Sequence, residues 1–509
     1  MRAFLRTSQG TRIQLTKVLT VLFLVVIVGV FLTSTFTSHS EQQSSSSSLE
    51  DGLSLAEYWD SLDNNRRYTF DSLDAFFPSR ILQPALSSKE KLAMYLNALQ
   101  HAVSIVHLPR ELTFPFIRKC SVLPKPSVVQ HQHALEVTFP KMLRDMSHAA
   151  SVGKAGLLDP VFVASNNATT GSALFYYVEG LPYHAVYCTS KSNNKDKFSS
   201  REDWTYRDPY WSAVGRHLLT LPSWSENMGI DFLAPASHPQ MKPSRRHPFE
   251  VNYLQRLTFL STDLDVAGYS PKDLVVPYLT EREVASMTKA KTKEPKFLLF
   301  FVGGDNPKRG LRSKLAERFE ALGSSPDVYF SLDKAPPSPT TTSGGGLSSF
   351  LDSMSASTFC LVVRGDTSSS RRLFTAIALG CIPVIISDWI SLPFTNVINY
   401  KAFALFFPEA VSSSTNGVRD MVQVLRSATP DTLTSMRAAL GEAKRVLLFN
   451  HFGLSGGNAV AALSVINPVT LTLVEALIAR ERLCQDRVPK PSTMPMLDMC
   501  TKIRQKMEK

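Results

Sequence analysis

The sequence predicts an α/β protein with two parallel sheets, one in each half of the folded chain. Three observations carry this. The 509 residues are too many for a single core and suffice for two domains with accessories. Short apolar runs such as Phe297 to Val302 and Ile382 to Ile386 are continuous rather than alternating, the pattern of strands covered on both faces. Segments with helical spacing lie between such runs, so strand and helix alternate.

The stretch from Phe359 to Pro393 shows the repeating unit most fully. Phe359, Cys360, Leu361, Val362 and Val363 read as a buried strand. Arg364 to Ser370 is a polar loop containing Gly365 and Asp366. Leu373, Phe374, Ile377 and Ala378 then follow helical spacing, and Gly380 suits the position after a helix, where a positive φ is needed. Ile382 to Ile386 is a second strand, completing a βαβ unit. At the strand-to-helix turn, Ser369 and Ser370 sit at or beside the N-cap. Their hydroxyls, the open backbone N–H groups and the helix dipole favour an anion. Arg364, Arg371 and Arg372 add fixed positive charge suited to phosphate. Two readings stand side by side: a phosphate or diphosphate seat, or an ordinary capped turn with solvated arginines.

The remaining elements follow in chain order. Arg2, Arg6, Arg12 and Lys17 precede an uncharged apolar run from Val18 to Phe36. Such a run spans roughly 28 Å as a helix, close to the hydrocarbon core of a bilayer. With its positive flank on the N-terminal side, it is expected to anchor the protein with a cytosolic N-terminus; a cleaved signal peptide is the rival reading. Residues 37–57, with five serines from Ser44 to Ser48, read as a flexible stem. Lys89 to Val106 has helical spacing, and Leu135 to Met146 is a second helical segment in which Pro140 is expected to break or kink the helix. Asp159 to Val163 reads as a turn into a strand. Asn167-Ala168-Thr169 is an N-glycosylation sequon. Asp263-Leu264-Asp265 has a metal-binding shape but is common by chance. Glu281 to Glu294 is a charged, helix-prone linker. Phe297 to Val302 opens the second half, Gly310 to Leu315 starts a helix, and Asp327 to Ser331 is a short strand. Ala335 to Ser349 is a low-complexity loop. Ala402 to Phe407 is a strand ending beside Glu409. Leu433 to Leu448 is a helix, and Pro468 to Arg482 a final amphipathic helix before a basic tail.

The net charge is +11, yet no nucleic-acid-binding motif is visible, so nucleic acid is not expected as a partner. Cys120, Cys188, Cys360, Cys381, Cys484 and Cys500 form no metal-ligand spacing, and sequence does not choose their pairing. Cys360 and Cys381, in or beside predicted strands, can pack as free thiols. Cys484 and Cys500 flank the tail and can clip it down.

The central stretch resembles the C-terminal signature of the exostosin-like glycosyltransferases, family GT47. The residues that carry the resemblance are Arg364-Gly365-Asp366-Thr367, Ser369 to Phe374, Gly380 to Ile385, Ser387-Asp388 and Leu392-Pro393-Phe394. Ser368 replaces the family's usual Pro, and Thr375 replaces an acid that would hold ribose hydroxyls. A weaker second patch comprises Pro209-Tyr210-Trp211 and Gly215-Arg216-His217; it lacks the family's Asp between Arg and His. A third is Tyr269 to Pro277. Gly303, Arg312 and Leu315 also fit the pattern.

The resemblance implies a GT-B fold: two Rossmann-like domains facing across a cleft, here behind an N-terminal transmembrane helix. The implied division is a cytosolic tail over 1–17, a transmembrane anchor over 18–36, the stem, an acceptor domain over 58–280, a linker over 281–296, a nucleotide-sugar domain over 297–465, and a C-terminal helix and tail over 466–509. The implied activity is inverting transfer of a hexose or pentose from a UDP-sugar to a polysaccharide or glycoprotein glycan in the Golgi lumen, without a metal or other cofactor. His217 would be the general base. Gly303, Arg312, Arg364, Gly365, Asp366, Ser369, Ser370, Arg371 and Arg372 would bind the donor, and Tyr210, Trp211, Arg216 and Asp273 would line the cleft or acceptor site. Partners would be the donor, the acceptor glycan, the Golgi membrane and related transferases in a homo- or hetero-oligomer. Thr375 and the incomplete Arg-His patch support an alternative, a non-catalytic membrane-anchored partner of an active homologue. A secreted sugar-binding protein is a third class.

Overall fold

The computed structural model describes residues 103–113, 135–151, 173–183, 207–238, 241–243, 253–264, 272–280, 295–304, 310–323, 325–332, 347–449 and 467–485, with a few single positions between them. Two five-stranded sheets lie within one compact unit, Tyr68–Lys509. The first has the order β1 (Val103–Val106), β2 (Phe175–Val178), β3 (Phe232–Pro235), β4 (Thr258–Ser261) and β5 (Leu274–Val275). The second contains β6 (Phe297–Val302), β7 (Val328–Ser331), β8 (Ser357–Val363), β9 (Ile382–Ile386) and β10 (Leu405–Phe407), in the order β10-β9-β8-β6-β7. All the described strand pairs are parallel. Every residue of β8 and β9 is buried, as the apolar runs Phe359 to Val363 and Ile382 to Ile386 predict; β8 also starts two residues earlier, at Ser357.

Helices cover the sheets. In the first half α1 (Leu135–Ser151), α2 (Arg207–Leu218) and the short α3 (Pro222–Asn227) connect strands. In the second, α4 (Leu311–Ala321) and α7 (Thr415–Arg426) pack together on one side. On the other side α5 (Leu347–Ser355) meets α6 (Arg372–Leu379), which meets α8 (Pro430–Leu447). Gly380 closes α6 with φ 77°, a conformation that costs glycine little. Helix α7 was not legible in the sequence reading, although Ser414 caps it onto Gly417 N and Val418, Met421, Val422 and Leu425 form its buried face.

Helix α9 (Pro468–Gln485) corrects the expectation of an amphipathic terminal helix. It is buried almost all round, because it lies against both halves. Glu475 accepts from the Asn396 backbone N–H at 2.9 Å, beyond β9. Five residues on, the fully buried Arg480 donates to Thr258 Oγ1 in β4 at 2.8 Å and to Ile230 O before β3. Tyr95 adds a 2.7 Å bond to Glu481.

Other expectations also change. The helical reading over Lys89 to Val106 ends too late, since Val103 to Val106 is β1, a fully buried strand at the end of the first sheet whose apolar residues fit either period. Pro140 does not break α1. The lost backbone bond costs ~3 kcal/mol, while Leu135, Phe139, Met142 and Leu143 are all buried by the helix and contribute roughly 1.5–3 kcal/mol each. Cys360 and Cys381 are not free thiols: they form a disulfide that joins β8 to the turn before β9. Cys484 is also disulfide-bonded. Residues 347–349, read as the end of a loop, open α5. The apolar run 18–36, the stem, the Asp159 to Val163 turn, Asn167, most of the linker and residues 335–346 lie outside the described residues. Among the described residues no helix is long and apolar enough to cross a membrane.

Candidate functional site

The two sheets meet at their carboxyl edges. Asp263, just after β4, is fully buried, and its Oδ2 accepts the Ser369 backbone N–H at 2.7 Å. Its Oδ1 accepts from Ser368 Oγ at 3.3 Å. Tyr278, beyond β5, bonds Ser369 Oγ through its hydroxyl at 3.0 Å. Burial pushes that phenol's pKa up. Ser387, after β9, donates to Ser368 O at 2.8 Å, and Thr262 donates to Ser237 O, after β3, at 2.9 Å. The loop following β8 is therefore stitched to the segments beyond β4 and β5 in the first sheet and beyond β9 in its own, while Thr262 ties the end of β4 to that of β3.

The donor-site reading of the Ser369–Ser370 turn changes accordingly. An anion does sit on the Ser369 amide, but it is the chain's own Asp263 carboxylate. The triplet around Asp263, weighed above for metal, thus supplies a tie between halves. Ser370 Oγ accepts from Arg372 N at 3.3 Å in the first turn of α6.

In the second sheet the order of strands reverses between β6 and β8, the crevice where open α/β sheets place ligands. Arg312, on the first turn of α4, lies across it. Its Nη1 donates to Gly304 O at 2.6 Å, its Nη2 to Val363 O at 3.0 Å and its Nε to Arg364 O at 3.1 Å. Three backbone carbonyls, whose negative ends would repel a phosphate, are thus covered by one guanidinium. The glycines make room: a Cβ on Gly365 would stand 3.2 Å from Arg312 Nη2, and one on Gly303 3.0 Å from the Phe301 ring. Gly303, Gly365 and Arg312, separate in sequence, form one unit. Arg312 acts there by positioning backbone and by its charge, since its three donor nitrogens each have a carbonyl partner.

The other arginines have defined neighbours. Arg364 Nε pairs with Glu409 Oε1 at 2.7 Å. Glu409 also exchanges bonds with Asp388, accepting its N–H at 3.3 Å and donating its own to Oδ1 at 2.9 Å. This triad ties the carboxyl ends of β8, β9 and β10. Arg372 stacks on Phe350 of α5, 4.2 Å from the ring centroid. Arg371 and Ser370 are half-buried and Asp366 is exposed at the same edge. Thr375, which the resemblance set against an acid, is buried, its hydroxyl bonded to Arg371 O at 3.4 Å.

The residues predicted for the acceptor side do not form one open site: Tyr210, Trp211 and Asp273 are buried in the first half. Trp211 is fully buried, donates to Met241 O at 2.6 Å and meets Phe259 edge-on. Tyr210 is buried with its hydroxyl bonded to Leu181 N at 2.5 Å, and burial raises its pKa. Both are core residues. Asp273 is a buried partner of Lys242 at 2.6 Å and accepts Phe259 N at 2.9 Å, a structural ion pair rather than a cleft acid. His217 and Arg216 lie in the last turn of α2. Tyr210 holds the start of α2 near the carboxyl end of β2, and the helix then runs back toward the amino end of β3. His217, in the last turn, is roughly 10 Å further along the axis, away from the junction.

Sequence reading missed His238, which follows β3 at the carboxyl edge. It is half-buried, with its ring stacked on Tyr183 at 6.1 Å. Beside it, Ser237 donates to the buried Glu136 at 3.1 Å, and Glu136 also takes Tyr183 N at 2.7 Å. The only available signal was position: a titratable residue just past a strand end, legible once the four-residue β3 is known.

Two parallel sheets meeting edge to edge, with a switch-point crevice lined by glycine and arginine, define a GT-B-like α/β protein. The chain belongs to the exostosin GT47 family, whose domain matches residues 103–422. Among curated relatives, it is 30% identical over 232 residues to the probable arabinosyltransferase ARAD1 of Arabidopsis thaliana, covering 45% of this chain and 48% of the relative. It is 27% identical over 258 residues to the probable glucuronosyltransferase GUT1 of rice, Oryza sativa subsp. japonica, covering 47% and 55%. It is 22% identical over 313 residues to the probable xyloglucan galactosyltransferase GT12 of A. thaliana, covering 57% and 56%. The chain thus spans about half the length of these relatives.

Proposed function

We propose that this protein is an inverting glycosyltransferase that takes a hexose or pentose from a UDP-sugar and adds it to a polysaccharide or glycoprotein glycan. The observation that carries this is the switch-point crevice, where Arg312 neutralises the carbonyls at the ends of β6 and β8 and glycines keep the backbone open. The diphosphate sits over Gly303, Gly304 and Gly365, facing Arg364, Arg371 and the start of α6. Fixed positive charge there stabilises the leaving diphosphate. The acceptor lies against the first sheet, and His238, at the edge of β3, takes the proton of the attacking hydroxyl. The displacement is single, and no metal is required.

The disulfide between Cys360 and Cys381 supports an oxidising compartment. Together with the basic flank and apolar run at 18–36, it supports a type II Golgi protein with a lumenal body. Relatives named for arabinosyl, glucuronosyl and galactosyl transfer leave the sugar to be chosen by assay.

A second reading, a non-catalytic partner of an active relative, is favoured by two observations: Asp263 already occupies the Ser369 amide, and Thr375 offers no carboxylate. UDP release by the purified chain, over a panel of UDP-sugars with and without EDTA, decides between them. Turnover with one donor, indifferent to EDTA and lost in Arg371→Ala, supports the transferase. No turnover and no thermal stabilisation by UDP refute it.

A further inference from the structure

We propose that Trp389 is a sugar-stacking platform for the acceptor glycan at the mouth of the site; this rests on the transferase reading above. Trp389 is 78% exposed, and it is the large hydrophobic residue left uncovered among the described residues. Its place is what makes that exposure informative. It stands three residues beyond the end of β9, at the carboxyl edge where the sheets meet.

The segment that presents it is tied on both sides. Ser387 is bonded to the loop after β8, and Asp388 is locked to Glu409 in two directions. Further on, Phe394 is buried with φ 59°, an uncommon conformation for a residue with a side chain, and Tyr400 Oη donates to Pro393 O at 2.9 Å. A pinned loop therefore holds an indole in water beside a polar crevice. A single exposed apolar side chain is ordinary on a surface; the pinned loop and the place at the carboxyl edge are what single this one out.

The chemistry selects a sugar. A pyranose ring has one face of C–H groups that suits an aromatic plane, and a rim of hydroxyls. The exposed Asp388 adjoins the indole in sequence, and a carboxylate there is an acceptor for hydroxyls. Trp389 follows β9, next to β8 rather than between β6 and β8 where the diphosphate is proposed, and it stands at the edge that faces the first sheet, so it falls to an acceptor lying between the sheets.

The test uses the full chain and its Trp389→Ala and Trp389→Phe variants, run by affinity electrophoresis in gels containing xyloglucan, glucuronoxylan or arabinan. A thermal shift with UDP is measured in parallel. Because the side chain is outside the core, both variants fold. The expected result is retardation of the wild type by at least one glycan. Apparent affinity falls about ten-fold in Trp389→Ala, roughly 1.4 kcal/mol, and is partly kept in Trp389→Phe, while the UDP shift is unchanged in both. Retardation by none of the three glycans, or equal retardation of wild type and Trp389→Ala, overturns the proposal. So does loss of the UDP shift in Trp389→Ala, which would move the indole to the donor site. A change from dimer to monomer by light scattering with glycan retardation intact would make it a protein contact instead. Absence of a UDP shift in the wild type together with Trp389-dependent retardation would refute the donor reading while leaving the platform in place.

Discussion

Asp263→Ala tests whether the junction between the sheets rests on the Asp263 carboxylate. The substitution removes a buried charged acceptor from two donors, the Ser369 N–H at 2.7 Å and the Ser368 hydroxyl at 3.3 Å. Hydrogen bonds to a charged group contribute roughly 1.5–3 kcal/mol, the shorter one at the upper end. With both donors left in a site where Ser368 is 1% and Ser369 7% exposed, the loss is about 3–4 kcal/mol. Asp263→Asn keeps an oxygen for Ser369 N and can donate to Ser368 Oγ, so its cost is about 1–2 kcal/mol. Urea unfolding followed by far-UV circular dichroism should rank the midpoints wild type, Asn, Ala. A cycle with Ser368→Ala should give a coupling energy of about 1 kcal/mol. The same change tests the donor site. Neutralising Asp263 removes a negative charge from the start of α6, so UDP should bind Asp263→Asn about five-fold more tightly, roughly 1 kcal/mol. An Asp263→Ala midpoint equal to wild type would refute the role given to this contact. Unchanged or weaker UDP binding in Asp263→Asn would refute the placement of the diphosphate at α6.

Other outcomes follow from the same geometry. Arg312→Lys keeps the charge but not the three carbonyl bonds, and should lower stability by about 2 kcal/mol and weaken UDP stabilisation in thermal-shift measurements. His238→Ala should reduce turnover by a factor of about 100 or more, whereas His217→Ala should leave it near wild type; steady-state UDP release distinguishes them. Burial lowers the Lys272 pKa to about 7 although Asp273 opposes the shift. The unfolded lysine keeps its proton to about pH 10.4, so the unfolded state binds more protons above pH 7 and stability rises with pH from there. Lys272→Met should flatten that rise in melting temperature between about pH 7 and 9. Reduction of the Cys360–Cys381 disulfide, whose partners are 21 residues apart, should cost about 3 kcal/mol, read as a lower urea midpoint with reductant.

The second sheet was legible because its three central strands lie in apolar runs of five or six residues. Phe297 to Val302, Phe359 to Val363 and Ile382 to Ile386 are each continuous runs, and Gly380 marks the end of α6. In the first sheet, strands of two to four residues left no periodicity to read, and only β5 was indicated by its resemblance. Without β3 the edge position of His238 had no meaning, and His217 was the histidine that a motif offered.

What the amino-acid sequence determined by itself was local: which runs are strands, where the glycine after α6 stands, and which turns gather arginine and serine. These depend on side-chain period and backbone preference, which neighbours along the chain set. What only the tertiary structure decided was pairing across distance. Asp263 meets Ser369 from 106 positions away, and Arg480 reaches Ile230 from 250. Buried polar groups must find partners wherever the fold brings them. A phosphate-like turn can therefore receive the chain's own carboxylate, and a conspicuous Tyr-Trp pair can belong to the core.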